Sequence, residues 1–130
     1  MKKKTVKGVQ LDGEHLNFDQ VAAVSRQNAE VSLDPKSVLA MNESRKMLED
    51  WVENKQIVYG ITTGFGPFVS TLIPTKFQSE LQYNLIRSHS ANVGPLFDKE
   101  EVRAAMFLRL NAFAKGYSAV RVETAQMLSA

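Results

Sequence analysis

"DKEEVRAAMFLRLNAFAKG", Asp98 to Gly116, is the stretch whose reading decides the fold of this chain. Asp98 and Glu101 stand at the spacing of an acidic capping box, so each carboxylate can accept from amides that a first helical turn leaves without partners. Val102, Met106, Leu110 and Phe113 then recur at helical spacing, and Lys115-Gly116 closes the segment with the residue that takes positive φ at no steric cost. The pattern predicts a helix with one apolar stripe.

Working outward, the same signals recur. Downstream, Val122, Ala125 and Leu128 begin another apolar stripe that runs out at Ala130 without a cap or a glycine, as though the chain ended inside a helix. Upstream, Pro74 opens a helix in which Phe77, Leu81 and Leu85 recur every fourth residue, until Asn92, Gly94 and Pro95 stop it. His89 falls next in that register. Asp34-Pro35 starts a long helix, because Asp accepts from orphan amides and Pro has no N–H to lose at the first position. Its stripe is Val38, Met41, Leu48, Trp51 and Val52, interrupted by Ser44 and Arg45 and fading near Asn54. Asn17 caps a shorter helix with Phe18, Val21, Ala22 and Ser25 at helical spacing. Thr5 to Leu11 has strand character and ends at the turn dipeptide Asp12-Gly13, and Glu30 to Leu33 reads as a short strand returning beside it. The expected fold is mainly α, with a small β element near the N-terminus.

Composition sets limits on function. The chain has 130 residues, 44% of them hydrophobic, the size of one ordinary domain, and no Pro-, Gly- or Ser-rich linker or internal repeat divides it. Sixteen Lys and Arg against fourteen Asp and Glu give a net charge of +2, owed mostly to Lys2, Lys3, Lys4 and Lys7, so neither nucleic acid nor a membrane is indicated as a partner. Thr5, Gly8, Gln10 and Asp12 break any apolar run behind that cluster, which excludes a signal peptide and leaves a cytoplasmic protein as the expectation. Zero cysteines removes disulfides, thiolate ligands and thiol catalysis together. With only His15 and His89 as imidazoles and no carboxylate cluster beside either, no metal site is expected.

The loop "VYGITTGFGPFVS", Val58 to Ser70, stands apart from this helical chain. Gly60, Gly64 and Gly66 fit neither the dinucleotide fingerprint nor the P-loop, and no Lys ends the loop, so phosphate binding is a weak reading. A plain connection, with Tyr59 packed as an amphipathic core residue, is one alternative. Against it stands the density of special residues: three glycines are entropically costly, and Thr62 and Thr63 add hydroxyls beside backbone amides expected to be free for a ligand. A phenol at the edge of such a loop, with an ordinary pKa of about 10, is a candidate acid or base. His89 reads alone as a buried imidazole with one satisfied hydrogen bond, but Asn84, Arg87, Ser88 and Ser90 make that helix end polar enough to face a pocket. Arg87 serves equally as a solvated charge.

"VYGITTGFG", then "LQYNLIRSHSANVGPLF", then "RLNAFAKGYSAVR" resembles, in that order, the N-terminal part of the histidine and aromatic amino-acid ammonia-lyase family, which includes the tyrosine 2,3-aminomutases. The resemblance covers almost the whole chain, strongest from Val58 to Arg121 and loose before Asp34. It implies a homotetrameric enzyme whose electrophile, a methylidene-imidazolone (MIO) group, forms by cyclisation of an internal Ala-Ser-Gly. That tripeptide does not occur in this sequence, and in the family it lies beyond the block matching "GYSAVR". The chain therefore reads as residues 1–130 of a longer enzyme, inactive alone. By the same resemblance Tyr59 is the loop base that takes the substrate proton, and Gly60, Gly64 and Gly66 let a lid approach the ligand and exclude water. His89 matches a pocket position that reaches a substrate phenol, with Ser88 beside it and Asn84 on the same helix. Thr62 stands where many ammonia-lyases of the family carry Asn, which leans toward the tyrosine aminomutases. Tyrosine is the first substrate expected, ahead of histidine and phenylalanine, with ammonia either released or returned to the adjacent carbon. A histidine ammonia-lyase fragment, or a non-catalytic relative kept for binding or assembly, is the alternative.

Overall fold

A computed structural model describes residues 6–130. The Lys2 to Lys4 cluster and Thr5 lie outside the described residues. The chain divides into two compact units, one holding the residues up to Met47 together with Leu96–Ala130, the other Leu48–Pro95.

The first unit starts with strand β1 (Gly8–Leu11), helix α1 (Phe18–Gln27) and strand β2 (Glu30–Leu33). The strands pair in parallel, Gly8 opposite Glu30 and Leu11 opposite Leu33. Parallel neighbours cannot be joined by a tight hairpin, so α1 serves as the crossover. Val9 and Leu11 point into the core and Gly8 and Gln10 outward, the two-residue alternation of a strand with one buried face. Asn17 caps α1 as expected, and Gln20 returns the bond to complete a capping box. The first unit also holds the start of helix α2 (Pro35–Glu53), and all of α4 (Lys99–Ala114) and α5 (Val122–Ser129). Asp34 accepts from the amide of Lys36 at 2.8 Å, so Asp34-Pro35 begins α2 by the mechanism its residues predict. Asp98 and Glu101 form the reciprocal capping box of α4, and Gly116 follows with a φ of 78°. Among the described residues, no helix is long and apolar enough to cross a membrane.

The core joins Val9, Leu11, Ala23, Val24, Ala29, Met41, Phe107, Leu110, Ala114 and Ala125, and it corrects three apolar stripes. In α4 the buried face is Phe107, Leu110 and Ala114, while Val102 and Met106 are exposed. The helix is apolar over most of its circumference, so spacing alone cannot choose the face, and packing on α1, β1 and α5 decides it. In α1 the core receives Ala23, Val24 and Ser25, whereas Phe18 is 93% exposed. Phe18, Val21 and Ala22, together with Ser25, border a shallow groove of about 290 Å³, beside which Arg26 Nε donates to Glu100 Oε2 at 3.0 Å. In α2, Ser44 does not interrupt the buried face; it belongs to it, with Ser37 and Met41. Its hydroxyl donates to the Met41 carbonyl at 3.0 Å, which satisfies the polar group inside the helix and removes most of the cost of burying it.

The turn after β1 is tied to the end of α4. Asp12 accepts from the amides of Glu14 and His15, each at 2.8 Å, and its other carboxylate oxygen meets His15 Nδ1 at 2.7 Å. Gly13 has a φ of 85°, and a Cβ there would lie 2.8 Å from the Lys115 amide nitrogen, so both conformation and space require glycine. The backbone amide of His15, then its ring, hold the Asp12 carboxyl well below the usual carboxylate range. The Asp12 carboxylate in turn raises the His15 pKa above its usual 6.5.

Two outcomes test this packing. Leu110→Ala, at a 1%-exposed position, is expected to lower unfolding free energy by about 2–5 kcal/mol, whereas Phe18→Ala shifts it by less than about 0.5 kcal/mol in urea denaturation. For the Asp12–His15 pair the signs are opposite. The raised His15 pKa contributes stability that is complete below 6.5 and is lost as pH rises through the folded value. The lowered Asp12 pKa contributes stability that is complete above 3.8 and is lost as pH falls through the folded value. The melting temperature of wild type relative to His15→Gln is therefore expected to be highest between those limits and to converge above them.

The candidate active-site loop

The second unit carries every residue that the sequence singles out for chemistry, on the loop after α2 and on helix α3 (Thr75–His89). The loop begins where α2 ends: the amides of Asn54 and Gln56 bond back to the carbonyls of Asp50 and Trp51, and Lys55 takes a φ of 52°. Helical continuation stops there, and the chain turns at Val58–Thr62, where the amides of Ile61 and Thr62 both donate to the Val58 carbonyl, at 3.1 and 3.0 Å. Tyr59 sits at the outside of this turn, 58% exposed.

Two buried threonines hold the turn from within. Thr62 is 3% and Thr63 0% exposed, unusual values for residues of a glycine-rich loop. The Thr62 hydroxyl accepts from the Val58 amide at 2.9 Å and donates to the Gln56 carbonyl. The Thr63 hydroxyl accepts from the Gly60 amide at 3.2 Å and donates to the Gly64 carbonyl at 3.0 Å. The strand-like passage then pairs with the segment before α3: Thr63 bridges Leu72, the Gly64 amide donates to Thr71, and the Ile73 amide donates to Thr62. A single 3₁₀ turn, Gly66–Phe68, reverses the chain between them.

These bonds correct the expectation that the loop's amides stand free for a ligand. Gly60 and Gly64 donate to partners inside the loop, and the Gly66 amide reaches the Tyr59 hydroxyl at 3.4 Å, a long contact. Hydrogen-bond satisfaction is the reason, since half-buried amides without water must find acceptors in the chain. The glycines have a second use. A Cβ on Gly60, at a φ of 71°, would lie 2.9 Å from the Phe65 ring, and one on Gly64 would lie 2.7 Å from the Phe68 Cβ. Phe65, to which residue spacing assigns no role, stands edge-on to Tyr59 with centroids 5.9 Å apart and planes at 74°. The tyrosine–glycine–aromatic order in "YGITTGF" is the signal that marks it.

Helix α3 has no fully buried residue: Leu81 and Leu85 are half-buried, and Phe77 is exposed. Asn84, Ser88 and His89 are exposed as well, so the buried imidazole considered for His89 is not what forms. His89 Nδ1 lies 2.9 Å from the Leu85 carbonyl and 2.9 Å from the Ser88 hydroxyl, which itself donates to Leu85. That arrangement holds the ring of the exposed His89 to the helix end through Nδ1, and Nε2 is the ring nitrogen outside these bonds. Among the described residues, no hydrogen bond or ring contact joins Tyr59 to Asn84, Ser88 or His89; the structure forms two separate groups, the loop and the helix end. A cavity of about 610 Å³ belongs to the first unit and holds none of these residues.

A family model described as aromatic amino acid lyase matches residues 16–130. The chain is 42% identical over 120 residues to a histidine ammonia-lyase of Streptococcus sanguinis, an alignment that covers 92% of this chain and 23% of the relative. It is 42% identical over 125 residues to one from Clostridium tetani, covering 96% and 24%. Among solved structures, tyrosine aminomutase from Streptomyces globisporus superposes with a TM-score of 0.88 at 40% identity, covering 94% of this chain and 23% of that one. Histidine ammonia-lyase from Trypanosoma cruzi follows at 0.83 and 38%, covering 92% and 23%. The chain thus spans about a quarter of the length of these relatives. With the family model matching most of its length, this chain belongs to the aromatic amino acid lyase family.

Proposed function

We propose that this chain is the N-terminal part of a lyase or 2,3-aminomutase acting on aromatic L-amino acids, in which Tyr59 is the general base. The observation that carries the reading is the self-bonded loop of residues 56–73, which spends its polar groups on holding Tyr59 outward. A phenolate within reach of a substrate carbon can take its proton as the amine departs, and a positioned base of this kind contributes roughly 10²–10⁴-fold. The exposed end of α3, with Asn84, Ser88 and the Nε2 of His89, is the proposed wall for the substrate side chain. A donor aimed at a substrate hydroxyl discriminates against substrates that lack one, so tyrosine is proposed first. Histidine is the second reading, favoured by the names of the curated relatives at 42% identity.

The MIO group that the family implies does not fit this chain by itself, which contains no Ala-Ser-Gly to cyclise. What this chain contributes is confined to its own side chains: Tyr59 moves the proton, Gly60, Gly64 and Gly66 allow the loop to fold close, and α3 lines a pocket. Electrophile and remaining walls come from the other three-quarters of the family fold, in a cytoplasmic homotetramer.

The 130-residue chain alone is expected to form no unsaturated acid from L-tyrosine or L-histidine, followed by ultraviolet absorbance. Joined in frame to the remaining part of the Streptomyces globisporus tyrosine aminomutase, it is expected to give an active enzyme. In that enzyme Tyr59→Phe lowers kcat by about 10²–10⁴-fold. Product from the chain alone, or full activity of the phenylalanine variant, defeats the proposal.

A further inference from the structure

The two buried threonines bond to the amides of the residues on either side of Tyr59: Thr62 takes the amide of Val58 and Thr63 takes that of Gly60. Each buried hydroxyl accepts from one of these amides and gives its single proton to a carbonyl, so neither has a donor left for a ligand. The chain is thereby held on both sides of Tyr59: Thr63 fixes the peptide that follows it, and Thr62 fixes Val58, whose carbonyl also accepts from the Ile61 and Thr62 amides. The Thr62 carbonyl accepts from Ile73 at 2.9 Å, and Thr63 pairs with Leu72, so the anchors are fixed to the segment that leads into α3. Among the described residues, the polar and ring contacts of the Tyr59 side chain are the edge of Phe65 and the 3.4 Å approach of the Gly66 amide. The direction of the phenol therefore follows from the backbone, and the backbone from two hydroxyls.

We propose that Thr62 and Thr63 are positioning residues for Tyr59, setting where its hydroxyl is presented without touching the substrate themselves. The inference rests on the reading of Tyr59 as the base. It also predicts an asymmetry between substitutions: serine keeps the bond at either position, whereas valine keeps the shape and loses it.

The experiment has two arms. In the full 130-residue chain, hydrogen exchange read by NMR should show the Val58 and Gly60 amides protected. Thr62→Val should accelerate exchange at Val58, and Thr63→Val at Gly60, by about tenfold, the net worth of one hydrogen bond. The serine variants should restore protection. In the joined enzyme, each valine variant should lower kcat by up to about 10²-fold with KM little changed, since a displacement near 1 Å of a reacting group costs that much. Serine should rescue kcat. Unprotected wild-type amides, or valine variants that lower only the melting temperature and leave kcat unchanged, overturn the proposal. Tyr59→Phe in the same assay separates the two failures: full activity there sinks the base itself, whereas a large loss there beside unaffected valine variants sinks only the positioning.

Discussion

The buried face of α4 is the constraint on which the first unit depends. Phe107, Leu110 and Ala114 turn inward to meet Val9 and Leu11 of β1, Ala23 and Val24 of α1 and Ala125 of α5, and these residues form a single cluster. Two elements from the start of the chain and one from its end thus share one partner. Burial of a leucine or phenylalanine side chain is worth about 1.5–3 kcal/mol, so Leu110 and Phe107 outweigh the capping boxes, each worth about 1 kcal/mol. Caps decide where the helices begin; the α4 face decides how they sit. A two-stranded sheet is marginal on its own, and it persists because β1 packs against α4 and β2 against α5.

The second unit is held differently. Thr62, Thr63 and Gly64 are its buried residues, and two of the three are hydroxyl-bearing side chains. Hydrogen bonds do there what apolar contacts do in the first unit. Every polar group that folds inward must find a partner, and the hydroxyls of Thr62 and Thr63 satisfy four backbone groups between them. The consequence for function is a phenol that stands outward at the edge of a braced turn. A loop rich in glycine is usually read as free to move; here the glycines make close folding possible instead, with Gly60 against Phe65 and Gly64 against Phe68.

Much of the surface that α3 and α4 leave open is apolar. Val93, Leu96 and Phe97 lie on the approach to α4, and Tyr117 follows it, all largely exposed. The chain covers about a quarter of its relatives' length, and apolar surface of this kind is what a larger family fold would cover. Asn84, Ser88 and His89 stand on a helix with no buried residue of its own, so the proposed pocket wall is likewise exposed, though polar.

By itself the sequence determined the elements. Asn17, Asp34-Pro35, Asp98 with Glu101 and Gly116 mark helix ends through local bonds that reach no more than a few residues, so nothing distant is needed to read them. The three quoted blocks marked the family, and the special composition of Val58–Ser70 marked the loop. Which face each helix buries was decided only by tertiary structure. In α4 the apolar residues surround the helix, and in α2 a serine is buried because its hydroxyl bonds to the Met41 carbonyl. The same holds for the site: Thr62 and Thr63 were legible as residues of interest, but whether a hydroxyl faces a ligand or its own backbone depends on where the chain turns. That turn is set by bonds from Gln56 to Ile73, beyond the reach of any short motif.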